Sequence, residues 1–219
     1  MLSANEKDAF LDSIKRVRDN TVKHLSAGKD VSFAINFVAT LHRAVDKVAQ
    51  QASVLGPKPE CVARCTYCCY VRVEVTEPEI FRIARELKNR PLTQISVHLE
   101  RLRKHVTAVQ VKKPNTQRMA CAFLENNLCS IYEVRPAVCR KAHSLSVERC
   151  ESFASEIPQN FEIILGAEAL MKGSSDAYRQ INLCSSSHEL CSAVLLAMKD
   201  ETAEARWYAG ESVFSDEQT

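Results

Sequence analysis

A mostly α-helical fold is predicted for this chain by three observations. Glycine is scarce, five in 219 residues, so tight turns are few. Apolar residues recur at helical spacing near both ends of the chain. The one alternating segment, Val71, Val73 and Val75 around Arg72 and Glu74, is long enough for a brief extended stretch only. With 46% apolar and 26% charged residues the composition is that of a globular protein. The length suits one well-buried core, so a single domain over 1–219 is the simplest organisation.

The elements follow in order. Phe10, Leu11, Ile14, Val17, His24 and Leu25 share a helical period that Gly28 stops, and Phe33, Phe37, Val38, Leu41, Ala44, Val45 and Val48 share another. Residues 1–56 are therefore expected to form an N-terminal helical hairpin, with His24 and His42 as helix-surface or core residues. Gly56-Pro57-Lys58-Pro59 breaks the pattern. Thr76 and Glu79 form a capping box ahead of Ile80, Phe81, Ile83, Ala84 and Leu87, which predicts a helix over about 77–89. A fourth helix begins at Pro91 and Thr93 and carries Ile95, Leu99, Leu102, Val106 and Val109 on one face. Residues 111–120 lack any period and are expected to be a loop. Helices return over 158–208: Phe161, Ile164, Leu165, Ala169, Leu170 and Met171 form one face, and Leu190, Val194, Leu195 and Met198 another behind a Ser187 cap. Residues 209–219 resemble a frayed polar tail.

Charge and hydropathy exclude several classes of function. Net charge is +2 and no Lys/Arg run is interleaved with aromatics, so no nucleic-acid partner is expected. No apolar run approaches the ~20 residues that span a bilayer, so no membrane partner is expected. Met1 to Phe10 has no apolar core of the secretory kind. A cytoplasmic location follows as the expectation, and in a reducing compartment ten cysteines are metal ligands or free thiols rather than disulfides. A protein partner is left open.

The cysteines are the chemistry-bearing feature. Cys61, Cys65, Cys68 and Cys69 fall within nine residues, and Cys121, Cys129, Cys139 and Cys150 follow. A core cysteine behaves as a small hydrophobe with no reason to cluster, whereas a soft metal ion or an iron-sulfur centre requires several thiolates together. On a helix the first four would share one face; in an extended stretch Cys68 and Cys69 would point apart and favour two neighbouring sites. Residues 61–150 are thus expected to be a loop-rich metal-binding region packed between the N- and C-terminal helices.

The full pattern carries a resemblance. Cys61-x3-Cys65-x2-Cys68-Cys69, then Cys121-Ala-Phe-Leu, Cys129-Ser-Ile-Tyr-Glu-Val-Arg135-Pro136 and Cys139-Arg140, with Cys150 downstream, resemble the YkgJ-type cysteine-cluster family of zinc- or iron-chelating proteins. The spacing between Cys61 and Cys65 is one residue longer than the family's common form. The resemblance implies a chelated zinc or iron centre and no settled reaction. The expected ligands are Cys65, Cys68, Cys69, Cys121, Cys129 and Cys139, with Cys61 and Cys150 completing the set.

More than four thiolates, an adjacent pair and mixed spacings favour an iron or iron-sulfur centre, with zinc as the close alternative. Four thiolates leave such a centre with net negative charge, and Arg135 and Arg140 are the cations expected to offset it. Arg64, Arg72, Lys141 and Arg149 are expected to be surface cations. His143, four residues after Cys139, is a candidate ligand whose expected role is a hydrogen bond to a sulfur. Cys184 and Cys191 lie outside the pattern among apolar residues and are expected in the core.

No phosphate loop, nucleophile triad or purposeful carboxylate pair is present, so the expected function is metal binding rather than catalysis. Two enzymatic alternatives remain. A cysteine-rich segment of this kind also occurs in flagellin lysine methylases, which suggests a metal-dependent protein-modifying enzyme. Cys61-x3-Cys65-x2-Cys68 also has the spacing of radical S-adenosylmethionine enzymes, but their repeated strand–helix pattern is missing after residue 76.

Overall fold

The computed structural model describes residues 3–28, 30–111 and 118–214. The fold is mostly α-helical, as the glycine scarcity and apolar periods predict. Two long helices come first, α1 (Ala4–Leu25) and α2 (Val31–Leu55), started by the side-chain caps of Ser3 and Asp30. A short strand β1 (Glu74–Val75) leads into α3 (Glu77–Lys88), where the Thr76–Glu79 capping box forms as predicted. Helix α4 (Leu92–Val111) follows, then a tiny hairpin of β2 (Leu124–Glu125) and β3 (Leu128–Cys129). Two one-turn helices, α5 (Ala137–Lys141) and α6 (Val147–Glu151), precede the long α7 (Phe161–Gln180). Strand β4 (His188–Glu189), α8 (Leu190–Lys199) and α9 (Ala203–Tyr208) complete the described chain. Of the segment expected to be a loop, residues 112–117 lie outside the described residues.

The principal packing partner of α1 is α7, where the sequence led us to expect α2; α2 packs on α7, α3 and α5. The α1–α7 approach depends on Gly173. A Cβ there would stand 2.6 Å from the carbonyl oxygen of Ile14 and 2.7 Å from Val17 Cβ. Gly166 plays the same part toward α2, where a Cβ would meet Val48 Cγ1 at 2.7 Å. Both glycines lie inside a helix, where they weaken it intrinsically, so their use here is close helix contact.

The main core joins α2, α3, α4, α8 and α9 through Ile35, Phe81, Leu102, Val194 and Trp207. Trp207 is fully buried, its ring 5.4 Å from that of Phe81, and its Nε1 donates to the Cys184 carbonyl at 2.8 Å. Phe214 returns to the same cluster, 5.4 Å from Phe81. The frayed tail expected over 209–219 therefore needs correction: residues 213 and 214 pack on the core, and 215–219 lie outside the described residues. An aromatic residue that buries its whole ring outweighs the polar character of its neighbours.

Two buried carboxylates organise the start of α3. Glu77 Oε1 pairs with His188 Nε2 at 3.0 Å, and its other oxygen accepts from the Ser186 N–H. Glu79 Oε1 pairs with His42 Nε2 at 3.1 Å and also accepts from the Ala137 N–H at 2.8 Å. Its second oxygen accepts from the Thr76 backbone and hydroxyl. The capping residue read from the sequence is thus also the joint between α2, α3 and α5. Helix α8 is capped by Glu189, not by Ser187: the Glu189 carboxylate accepts from the N–H groups of Cys191 and Ser192, and the Ser187 hydroxyl donates to Glu74.

Candidate metal centre

The chain enters the cysteine region along residues 143–146. Glu60 N–H donates to the Ser144 carbonyl, and the Ser144 N–H donates to Cys61 Sγ at 3.3 Å. The nonapeptide is neither a helix nor a strand. Arg64 adopts a left-handed backbone with φ 70°, reversing the chain, and a one-turn 3-10 helix follows at Tyr67–Tyr70. The nonapeptide is therefore not one continuous helix, and the single shared helix face considered from spacing does not form.

The second group reaches the first through one backbone bond, Cys121 N–H to the Cys69 carbonyl at 2.8 Å. Cys129 is set by the β2–β3 hairpin, whose two turn residues, Asn126 and Asn127, both take positive φ, at 50° and 60°. Such a turn matches strand twist and is tolerated by asparagine. Phe123 and Ile131, both buried, anchor the hairpin to the core on either side. Pro136 then starts α5, which presents Cys139 from its central position.

The result is a cavity of about 320 Å³ with six sulfur-bearing residues on its wall: Cys65, Cys68, Cys69, Cys121, Cys129 and Cys139. Phe123, Leu128, Ile131, Val138, Ile164 and Leu190 supply apolar lining. Cys61 and Cys150 are off this wall; Cys61 is an electrostatic neighbour of Cys65, Cys68 and Cys150, at the outer edge of the group. All ten cysteines are free thiols.

Burial pushes the Cys129 and Cys139 thiols up, and each neighbouring thiolate adds to the effect. Burial also raises Cys61, partly offset by the Ser144 N–H. Cys68 is drawn down to about 7, first by the adjoining Cys69 thiol and further by the Arg135 guanidinium, while Cys69 is raised in turn. Several thiolates without a cation would repel one another in this enclosure. A bound metal cation reverses that balance because it stabilises the deprotonated form of each ligand.

The two candidate arginines are placed differently. Arg135 lines the cavity, its guanidinium carbon 3.8 Å from the Tyr132 ring centroid, and its buried Nε has no hydrogen-bond partner among the described residues. A buried donor left unsatisfied costs ~1–3 kcal/mol, so an anionic centre beside it fits the chemistry of this wall. Arg140 is fully engaged elsewhere, with Asp46 Oδ2 at 2.6 Å and the carbonyls of Arg135 and Glu133. It clamps α5 to α2 and to the turn before it.

His143 is not available to an ion. Its Nδ1 lies 2.7 Å from the Lys141 carbonyl and its Nε2 accepts from the Asn160 N–H at 2.7 Å, so both ring nitrogens are used. The expected bond to a sulfur is not made. Replacing His143 by Ala should leave metal content unchanged while costing ~1–3 kcal/mol of stability, measured by metal analysis and urea unfolding side by side. A drop in metal content without a drop in stability would contradict this.

Sequence reasoning missed one neighbour of the site. Cys191, nearly fully buried in α8, interacts directly with Cys121. The Cys121 thiol is drawn down chiefly by Cys191, whose own thiol is pushed up. Nothing in the sequence announces a contact between residues 121 and 191, because it arises from the tertiary packing of α8 on α3 and α4. Cys184, by contrast, lies in the loop before β4 and packs, partly buried, against the main core.

A helical scaffold that gathers six free thiols around one cavity, beside an arginine whose Nε has no hydrogen-bond partner among the described residues, has the donor set of a metal-chelating protein. Residues 60–158 match the family model CxxCxxCC, described as "Putative zinc- or iron-chelating domain". No curated protein and no solved structure matches the chain. Among the described residues no helix is long and apolar enough to cross a membrane.

Proposed function

We propose that the protein holds an iron centre, as an ion pair or an iron-sulfur cluster, in the cavity lined by Cys65, Cys68, Cys69, Cys121, Cys129 and Cys139. The observation that carries this reading is the convergence of six thiols beside the unpartnered Nε of Arg135. Six exceed the four that close a tetrahedral zinc site, which favours a centre with more than one metal atom. Cys61 and Cys150 serve at the outer edge, where they would take part if the centre extends toward Arg64. When bound, the centre supplies soft Lewis acidity or one-electron redox capacity.

Arg135 offsets the negative charge of the thiolates, and Arg140 acts indirectly by holding the segment that carries Arg135 and Cys139. Protein purified without oxygen should be brown, absorb broadly near ~400 nm, bleach with dithionite and contain acid-labile sulfide. A colourless protein with stoichiometric zinc and no labile sulfide would replace iron by zinc; a metal-free protein with all cluster thiols titrating freely would reject chelation.

A second reading, a metal-dependent enzyme, is favoured by the size of the cavity. About 320 Å³ falls within the ~300–1,000 Å³ of small-molecule pockets, and its lining is largely apolar. Binding of a small exogenous ligand at the loaded centre, seen as a spectral change, would support it.

A further inference from the structure

A second cluster of ligand-type side chains lies behind the cavity wall. His105 of α4, Glu189 at the start of α8 and Cys191 two residues on bring a nitrogen, an oxygen and a sulfur together. All three ligand atoms lie within 4.8 Å of one another. Among the described residues this is the one such trio; the cavity thiols are more widely spaced.

We propose that His105, Glu189 and Cys191 form a separate site for one divalent cation of the zinc class. The three differ in chemistry, and one imidazole, one carboxylate and one thiolate together suit a borderline ion such as Zn²⁺. Their separation fits as well. Two ligands on a tetrahedral ion with bonds of ~2.0–2.3 Å stand roughly 3.3–3.8 Å apart, so a contraction of about 1 Å closes the trio.

His105 and Glu189 form no direct ion pair, and the His105 ring makes no hydrogen bond with another described residue. Glu189 is already oriented, since its two oxygens accept from the Cys191 and Ser192 N–H groups at 3.0 and 2.7 Å. Each carboxylate oxygen retains a second lone pair, so capping and coordination are compatible.

The placement is secured by packing. His98, Leu102 and His105 recur on one face of α4, and α4 packs on α8. Leu102 is fully buried and Cys191 is 2% exposed. Three protein ligands leave one position for water, for an exogenous ligand or for the thiol of Cys121, which adjoins Cys191. Cys121 also lines the cavity, so one thiol stands between the two sites.

The test is a Zn²⁺ titration of the full chain, with bound metal counted per protein and the visible spectrum of the cavity centre recorded in parallel. His105→Ala should remove one equivalent of zinc and leave the spectrum and the unfolding midpoint of the zinc-free protein unchanged. Cys191→Ser should remove the same equivalent, while Glu189→Gln, which keeps an oxygen acceptor for the α8 cap, should weaken it. Unaltered zinc stoichiometry and affinity in His105→Ala would overturn the proposal, whether or not the core variant at Cys191 folds. Cys129→Ser should spare this equivalent. Its loss there but not in His105→Ala would assign all bound metal to the cavity and likewise overturn the second site.

Discussion

Cys129→Ser and Cys68→Ser proteins are expected to lose most of their bound metal and to become sensitive to protease between residues 118 and 150. Both sulfur atoms belong to the six that line the cavity, and a hydroxyl is a poor substitute for thiolate toward zinc or iron. Affinity should fall by at least the ~10–100-fold that follows even from altering groups around metal ligands. Protease sensitivity follows because this segment has little regular structure to hold it. Its elements are a hairpin of two-residue strands, a 3-10 turn and two five-residue helices. Phe123, Ile131 and Val134 are its main buried anchors, so part of its order should derive from the ion. The checks are metal content per chain and limited proteolysis with the cleavage sites mapped. Full occupancy in both variants would exclude these two residues as ligands.

The Glu79 substitutions should have the next largest effect, this time on stability rather than metal. Glu79→Ala strips a partner from His42, leaves the fully buried Ala137 without an acceptor for its N–H and removes the Glu79 half of the α3 capping box. Breaking a buried pair of this kind costs ~3–5 kcal/mol. Burial alone would raise the Glu79 carboxyl. The His42 partner and the N–H groups of Ala137 and Thr76 outweigh it and hold the carboxyl below its ordinary value. A depressed carboxylate contributes stability that is complete above the unfolded pKa, ~4.3, and is lost as pH falls through the folded value. The gap in unfolding free energy between wild type and Glu79→Gln should therefore be full at neutral pH and shrink in acid. Because both proteins carry the same metal ligands, their difference isolates Glu79. A gap that stays constant from neutral pH down to the acid limb would show that Glu79 is held by packing alone.

Much of the fold was legible because local patterns and tertiary packing agreed. The Thr76–Glu79 box, the extended stretch near Val75 and the long apolar periods of α1, α2, α4 and α7 all appear where the residues indicate. The failures have a common origin in contacts remote in sequence. Ser187 has the right chemistry for a cap, but it bonds Glu74, and Glu189 takes the role because β4 pairs with β1 just before α8 starts. The tail looks polar, yet Phe214 finds the pocket between Phe81 and His188. His143 has metal-ligand spacing from Cys139, but its ring ties residue 141 to residue 160.

By itself the sequence determined that this is a mostly α-helical protein with a cysteine-rich chelating domain. Helical period, capping chemistry and clustered thiols are local properties that survive without knowledge of the fold. Only the tertiary structure decided which thiols meet. The chain reverses at Arg64 and leaves Cys61 off the cavity wall, the Asn126–Asn127 hairpin brings Cys129 onto it, and α8 places Cys191 against Cys121. The physical reason is that a metal site is a convergence of side chains from separate elements, and the positions of those elements are set by burial of the core beneath them.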